Sequence, residues 1–245
     1  MKNGIKRALR FLGFELRRYS IQTSAGAQLD RLIAHLGIDL VLDVGSNIGQ
    51  YAHELRSHGY RGRIVSFEPS EAAHADLTKA ARSDGGWTVA PRMALGSTSG
   101  EATLHVAGNS LSSSVLRMLP EHERAAPGSK IVRTERVPLH RLDEVAVPTL
   151  AQSRAVLLKI DTQGYEAQVL AGSERILDRI VAIQLELSFV PLYEGQPLFD
   201  AMRERLNGLG FALFALFPGY VHEVTGSTLQ VDGFFVRKDH LGRLQ

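Results

Sequence analysis

The stretch Leu40-Val-Leu-Asp-Val-Gly-Ser-Asn-Ile-Gly49 decides the fold: an apolar strand carrying one acid runs into a glycine-bounded loop, and residues 48–58 continue with helical spacing. Outward from it, residues 63–67 read as a second strand and residues 71–83 as a second helix, which sets a βαβα rhythm. The unbroken apolar runs at 155–158 and 180–183 suit central parallel strands covered by helices on both faces. The expected fold is therefore α/β, a doubly wound and mostly parallel sheet. Upstream, Leu29, Leu32, Ile33 and Leu36 form a helical stripe that Gly37 stops. Downstream, residues 211–217 and 229–236 are β-rich and joined without a helix, which suits antiparallel pairing. Residues 101–137 break the rhythm with a short strand at 102–106, a serine-rich stretch at 110–114 and a polar segment at 120–130. That region is expected to be an insertion or lid over the site.

With 245 residues, 44% hydrophobic and 22% charged, the chain can bury a full core, as one large domain (38–238) behind a helical extension (1–37). Its 28 Lys+Arg against 26 Asp+Glu give a charge of only +2, which argues against a dedicated nucleic-acid binder. The absence of cysteine excludes disulfides, thiolate zinc sites, iron–sulfur clusters and a Cys nucleophile. It fits a reducing compartment, so the expected location is cytoplasmic.

Residues 1–19 are unlike the rest, carrying six cations (Lys2, Lys6, Arg7, Arg10, Arg17, Arg18) and one acid, Glu15. Ile5, Leu9, Leu12 and Leu16 recur at steps of three and four, the spacing of a short amphipathic helix. Charges interrupt every apolar run before a secretory core can form. Such a helix can lie on an anionic membrane surface, gaining about 1 kcal/mol per cation, which would place the protein peripherally at the inner face of the membrane. It can equally dock on the domain with its charges in water.

The loop after the first strand carries the chemistry. A dinucleotide loop needs G-x-G-x-x-G, but here Asn47 stands at the second glycine, leaving Gly45 and Gly49 as G-x-x-x-G. Asp43 puts a carboxylate at the mouth of that loop, unfavourable to phosphate and favourable to a cationic ligand. A nicotinamide dehydrogenase therefore ranks last. Strand two ends in Glu68, an acid placed to accept both hydroxyls of a ribose. Adenosine carrying a sulfonium meets both requirements.

These residues resemble the class I S-adenosylmethionine-dependent methyltransferases and, within them, the FkbM family. The resemblance covers about residues 40–236 and rests on six segments in order: Leu42-Asp-Val-Gly-Ser-Asn-Ile-Gly49, Ser66-Phe-Glu-Pro69, Ala94-Leu-Gly96, Val137-Pro-Leu-His-Arg-Leu-Asp143, Lys159-Ile-Asp-Thr-Gln-Gly-Tyr-Glu166 and Val231-Asp-Gly-Phe-Phe-Val236. It implies a seven-stranded, Rossmann-like sheet with an antiparallel last strand, bound S-adenosylmethionine, and methyl transfer to a hydroxyl of a sugar or natural product. It also implies that Asp43, Gly45 and Asn47 lie at the methionine end of the cofactor, Glu68 at the ribose, and Ala94 and Leu95 beside the adenine, with Gly49 among the cofactor-binding residues. Gln163 departs from the family, which often has Glu there.

At the end of the next strand, Lys159 and Asp161 share one face, and a buried ammonium needs a carboxylate partner, Asp161 first and Glu186 second. Asp161 and Glu186 are expected to face the transferred methyl, either binding a divalent cation such as Mg2+ or taking the hydroxyl proton. The same residues can instead form a structural Lys–carboxylate network. Candidate acceptor contacts are His140, Ser112, Ser113 and Tyr193, with His105 and Ser114 nearby. Trp87 and Phe189 are read as core. The leading function is O-methylation of a hydroxyl on a glycolipid sugar or a polyketide. Alternatives are a catalytically inactive membrane-surface module using the basic helix and a nucleic-acid methyltransferase, which lacks support because no Asn/Asp-Pro-Pro-Tyr run follows Asp161.

Overall fold

In the computed structural model, which describes residues 7, 9–16 and 18–243, the quoted stretch is β1 (Leu40–Val44), and every one of its side chains is buried. Continuous burial requires cover on both faces, and helices supply it: α1 (Ala25–Leu36), α2 (Gln50–Ser57) and α3 (Glu71–Ala81) alternate with β2 (Arg63–Phe67) and β3 (Trp87–Val89). After β4 (Ala94–Leu95), β5 (Gly100–Ala107), α4 (Pro120–Ala125) and β6 (Ile131–His140) come the short helices α5 (Leu142–Val145) and α6 (Val147–Leu150). The second half is β7 (Val156–Ile160), α7 (Glu166–Ala171), β8 (Ile180–Ser188), α8 (Phe199–Gly208), β9 (Phe211–Pro218) and β10 (Gln230–Arg237).

Seven strands form the main sheet in the order β3-β2-β1-β7-β8-β10-β9. β1 pairs in parallel with β2 and β7, and β7 with β8, while β10 runs antiparallel to both β8 and β9. The alternation of strand side chains divides the core in two. Leu40, Leu42, Leu158 and Leu185 pack on one face, and Val41, Leu157, Ala182 and Phe234 on the other. Each fully buried Leu, Val or Phe side chain among them contributes about 1.5–3 kcal/mol.

Because Asp43 shares a face with Val41, the parallel register sets Ser66, Asp43, Lys159 and Gln184 side by side on β2, β1, β7 and β8. All four are buried, so the sheet carries a polar row through an otherwise apolar layer.

Helix α1 is capped by the Ser24 side chain and stopped by Gly37 in the left-handed region (φ 62°). Its Leu29, Leu32, Ile33 and Leu36 belong to the same cluster as Val41 and Leu157. The stretch set apart as an extension therefore divides, with 25–36 packed into the core. Among the residues before it, Arg7, Leu9, Arg10 and Phe11 are helical, and the chain turns at Leu12 and Gly13 (φ 81°). A continuous amphipathic helix over 1–19 is thus not formed, since Leu16 falls beyond that turn. Ile5, Lys2, Lys6 and Arg17 lie outside the described residues.

The region read as an irregular insertion is built on a second sheet, of order β4-β6-β5. β6 went unpredicted because only Val137 and Leu139 of its ten residues are buried, leaving a charged strand with little hydrophobic signal. The β5–β6 pair carries the serine-rich loop over the carboxyl edge of the main sheet.

Candidate active site

A cavity of about 320 Å3 opens at the carboxyl ends of β1, β2 and β7 and is closed on its far side by Ser110–Val115 segments of the serine-rich loop. Its floor is the glycine loop. The Gly45 and Ser46 amides both donate to the Phe67 carbonyl, at 3.0 and 3.1 Å, tying the loop to the end of β2. Gly45 has φ 76°, and a Cβ on it would lie 1.8 Å from the Asp161 carbonyl oxygen, so this position tolerates no side chain. Gly49 serves packing: a Cβ there would strike the Trp87 ring at 2.5 Å, and Gly49 does not line the cavity.

Glu68 is almost fully buried at the end of β2, where Oε2 accepts from the Asn47 amide and Oε1 from the Ser70 amide, both at 2.8 Å. Burial pushes its pKa up to about 7 against the pull of those two N–H groups. Each oxygen keeps a lone pair, so the group remains able to accept a pair of hydroxyls. Asn47, in the left-handed region at φ 48°, reaches Ser110 Oγ at 3.2 Å and so joins the loop to the lid. Ala94 and Leu95 are buried and line the cavity wall.

Beneath the loop runs the polar row. Trp87 Nε1 donates to Ser66 Oγ at 2.9 Å, Ser66 Oγ to Asp43 Oδ2 at 3.2 Å, and Lys159 Nζ stands 3.3 Å from Asp43 Oδ1 and 3.5 Å from Asp161 Oδ2. The expected order of partners is corrected: Asp43 is nearest to Lys159, and Glu186 makes no ion pair with it. Burial opposes the charge on Lys159, but Asp43 and Asp161 outweigh it and raise its pKa. Asp43 itself is fully buried under the loop rather than at its mouth, engaged by Ser66 and Lys159.

The carboxylate pair is also rearranged. Gln163, at φ 56°, donates from Nε2 to Asp161 Oδ1 at 2.9 Å and to Glu186 Oε2 at 2.8 Å. Gln230 Nε2 donates to the same Glu186 oxygen at 2.6 Å. An amide thus occupies the place between the two carboxylates that a shared Mg2+ would need, and no group of three His, Cys, Asp or Glu among the described residues is arranged for a metal. Glu186 lies off the cavity, and burial, then the charges of Asp161 and Glu166, hold its pKa well above the usual carboxylate range. Asp161 does line the cavity, with 37% of its side chain exposed.

Of the acceptor candidates, Ser113 and Ser114 line the cavity, whereas Ser112, His140, His105 and Tyr193 do not. Ser112 Oγ is held by Asn109 and faces His122, and the fully buried Tyr193 hydroxyl lies 3.0 Å from both the Ser112 carbonyl and Gln163 Oε1. His140 and His105 are set in the second sheet, on β6 and β5. Trp87 is core as expected, but Phe189 is 43% exposed and stacks on Phe199 at 5.0 Å. Tyr51, Glu54, Gln184 and Asp232 line the cavity without having been singled out; Tyr51 OH donates to Gln184 Oε1 at 2.8 Å. Helical spacing from the loop could have found Tyr51 and Glu54, which lie one turn apart on α2.

A Rossmann-like sheet with its cavity at the carboxyl edge and a buried acid just after β2 is the arrangement of the α/β nucleotide-binding folds. The methyltransferase FkbM domain matches residues 43–213, and the chain belongs to that family. It is an S-adenosylmethionine-dependent methyltransferase. Similar solved structures include an rRNA methylase from Streptococcus thermophilus (12% identity over 89% of this chain and 99% of that one, TM-score 0.46). Fibrillarin from Aeropyrum pernix with natively bound S-adenosyl-L-methionine is 14% identical over 86% of this chain and 73% of that one, TM-score 0.46. Magnesium protoporphyrin IX methyltransferase from Synechocystis PCC 6803 with bound cofactor is 15% identical over 96% and 91%, TM-score 0.40. A search of curated proteins finds no match.

Proposed function

We propose that the chain transfers a methyl group to a hydroxyl of a neutral acceptor, a sugar of a glycolipid or of a polyketide-type product. The carrying observation is the charge of the cavity: Glu54, Glu68, Asp161 and Asp232 face it, and Lys159 is already paired with two carboxylates. Such a wall favours a cationic donor and an uncharged acceptor and disfavours phosphate groups, which weighs against nucleic acid.

The residues present fit S-adenosylmethionine. Glu68 takes the ribose hydroxyls, Ala94 and Leu95 flank the adenine, and Gly45 and Asn47 leave the loop backbone open to the methionine end. When bound, the cofactor supplies an electrophilic methyl on a positively charged sulfur. Asp161, 3.5 Å from the Lys159 ammonium and lining the cavity, offers a carboxylate to that end of it. Ser113 and Ser114 border the space left for the acceptor, and the lid they belong to limits water. The rate then comes largely from alignment of the acceptor oxygen with the methyl group.

A lipid-linked acceptor is supported by the exposed apolar side chains Phe11, Phe14 and Leu16 beside Arg7, Arg10 and Arg18. No described helix is long and apolar enough to cross a membrane. The test is a panel of methyl glycosides, glycolipids and polyketide aglycones incubated with methyl-labelled cofactor. An O-methyl product supports the reading; label appearing only in RNA or protein overturns it.

A further inference from the structure

The tail segment Val231-Asp-Gly-Phe-Phe-Val236, the last of the six family-like segments, lies beyond residues 43–213, which the family domain matches, and carries one acid, Asp232. Because β10 is antiparallel, its beginning, not its end, lies at the carboxyl edge of the sheet, with Asp232 directly opposite Glu186. Asp232 lines the cavity.

Four carboxylates approach the acceptor end of the cavity, and three are committed or misplaced. Asp161 takes the Gln163 amide on Oδ1 and faces the Lys159 ammonium with Oδ2, so both of its oxygens are already engaged. Glu186 is spent on the Gln163 and Gln230 amides and lies off the cavity. Glu54 sits on α2, open to solvent. Asp232 is half-buried, faces the cavity, and among the described residues no donor or cation bonds to its carboxylate. A half-buried carboxylate without a donor lacks a partner that a hydroxyl would supply.

We infer that Asp232 is the general base of the reaction, accepting the hydrogen bond of the acceptor hydroxyl and then its proton. This rests on the O-methyl reading above. In the step, the acceptor oxygen bonds to the methyl carbon as the carbon–sulfur bond breaks, its electron pair staying on the now neutral sulfur. The hydroxyl proton passes to an Asp232 oxygen and later to solvent, so charge and atoms balance. Burial, then the Asp161 charge, push the Asp232 pKa up to about 6, against the pull of Lys159, and Glu54 adds to the rise. Glu186, on the facing strand, is held well above the usual carboxylate range. A base with that affinity for protons is still ionised at neutral pH.

The test uses the full chain and the first acceptor methylated in the panel. Asp232→Asn should bind S-adenosylhomocysteine within threefold of wild type by calorimetry and lose about 10²–10⁴-fold in kcat. Wild-type turnover should rise through about pH 6, Asp161→Asn should move that limb to lower pH because it removes a charge that raises the Asp232 pKa, and Asp232→Asn should abolish it. Turnover of Asp232→Asn within threefold of wild type overturns the assignment. So does loss of S-adenosylhomocysteine binding in a variant whose circular dichroism melt is native, since Asp232 would then hold cofactor. A panel in which wild type methylates no hydroxyl overturns the O-methyl reading first and the base with it.

Discussion

The Gln163 side-chain amide stands 2.8 Å from the Glu186 carboxylate and, by the same nitrogen, 2.9 Å from Asp161. A neutral donor thus links two acids that would otherwise repel, and it sits where the family often carries a third acid. Gln163→Glu should cost about 1–3 kcal/mol at pH 8, because a donor becomes a like charge in a buried place. The loss should shrink toward pH 5, where the new carboxyl can protonate and donate. Thermal melts of both forms across that range check it, and equal melting temperatures at pH 8 would remove the bridge from the account. The same geometry predicts that a chelator leaves wild-type turnover unchanged; turnover lost to chelator and restored by Mg2+ would reinstate the metal pair.

Glu68 should govern cofactor affinity in a pH-dependent way. Two hydrogen bonds from ribose to a charged acceptor, each about 1.5–3 kcal/mol, make Glu68→Ala weaker for S-adenosylhomocysteine by about 10²–10⁴-fold at pH 8. With the Glu68 pKa raised to about 7, lowering the pH through 7 protonates the carboxyl and turns an acceptor into a donor. Wild-type affinity should therefore fall between pH 8 and pH 6. Calorimetry at both values decides it, and equal affinity at the two would refute this role.

Glu166 lends itself to a stability test because it is buried and its oxygen Oε1 accepts from the Thr162 and Gly164 amides at 2.9 and 3.1 Å. Burial still raises its pKa from 4.5 to about 7. A folded-state pKa above the unfolded one means that the folded form binds more protons between these values. Its contribution is therefore most favourable below about pH 4.5 and is lost as pH rises through 7, at a cost on the order of 3 kcal/mol. Glu166→Gln should be less sensitive: its stability relative to wild type should improve from pH 5 to about pH 7 and level off by pH 8. Urea titrations at four pH values read the difference, and a constant offset would contradict the raised pKa.

Much of the fold is written in the sequence, since β1, β7 and β8 are unbroken apolar runs and α1 carries its own stripe and stop at Gly37. The βαβ side of the site is equally legible, because Gly45 and Glu68 each follow an apolar strand at a fixed offset. What was not legible depends on pairing. β6 shows little hydrophobic signal until β5 and β4 flank it. Asp43 becomes the partner of Lys159 only through the parallel register of β1 and β7. Asp232 reaches the site because its strand runs backwards, so a search along the ends of strands passes over it. Gln163 looks like a lost charge in one dimension and a bridge in three.

The segment before α1 supplies the last expectation. Phe11 is 91% exposed and Leu12 and Phe14 each 67%, an apolar group larger than isolated surface residues usually make. The segment is anchored behind it, where the Tyr19 hydroxyl donates to Asp30 of α1 at 2.6 Å, so these side chains are held beside the domain yet face water. Arg7 and Arg18 add charge that suits an anionic surface. Wild type should sediment with vesicles rich in phosphatidylglycerol and stay in solution with phosphatidylcholine alone, the binding weakening in 0.5 M salt, where the Debye length falls to roughly 4 Å. Phe11→Ser combined with Phe14→Ser should release most of the protein while leaving the thermal melt unchanged, because neither ring packs in the core. Sedimentation of the double variant equal to wild type would show that these side chains do not carry membrane contact, and the acceptor would then have to be sought among soluble compounds.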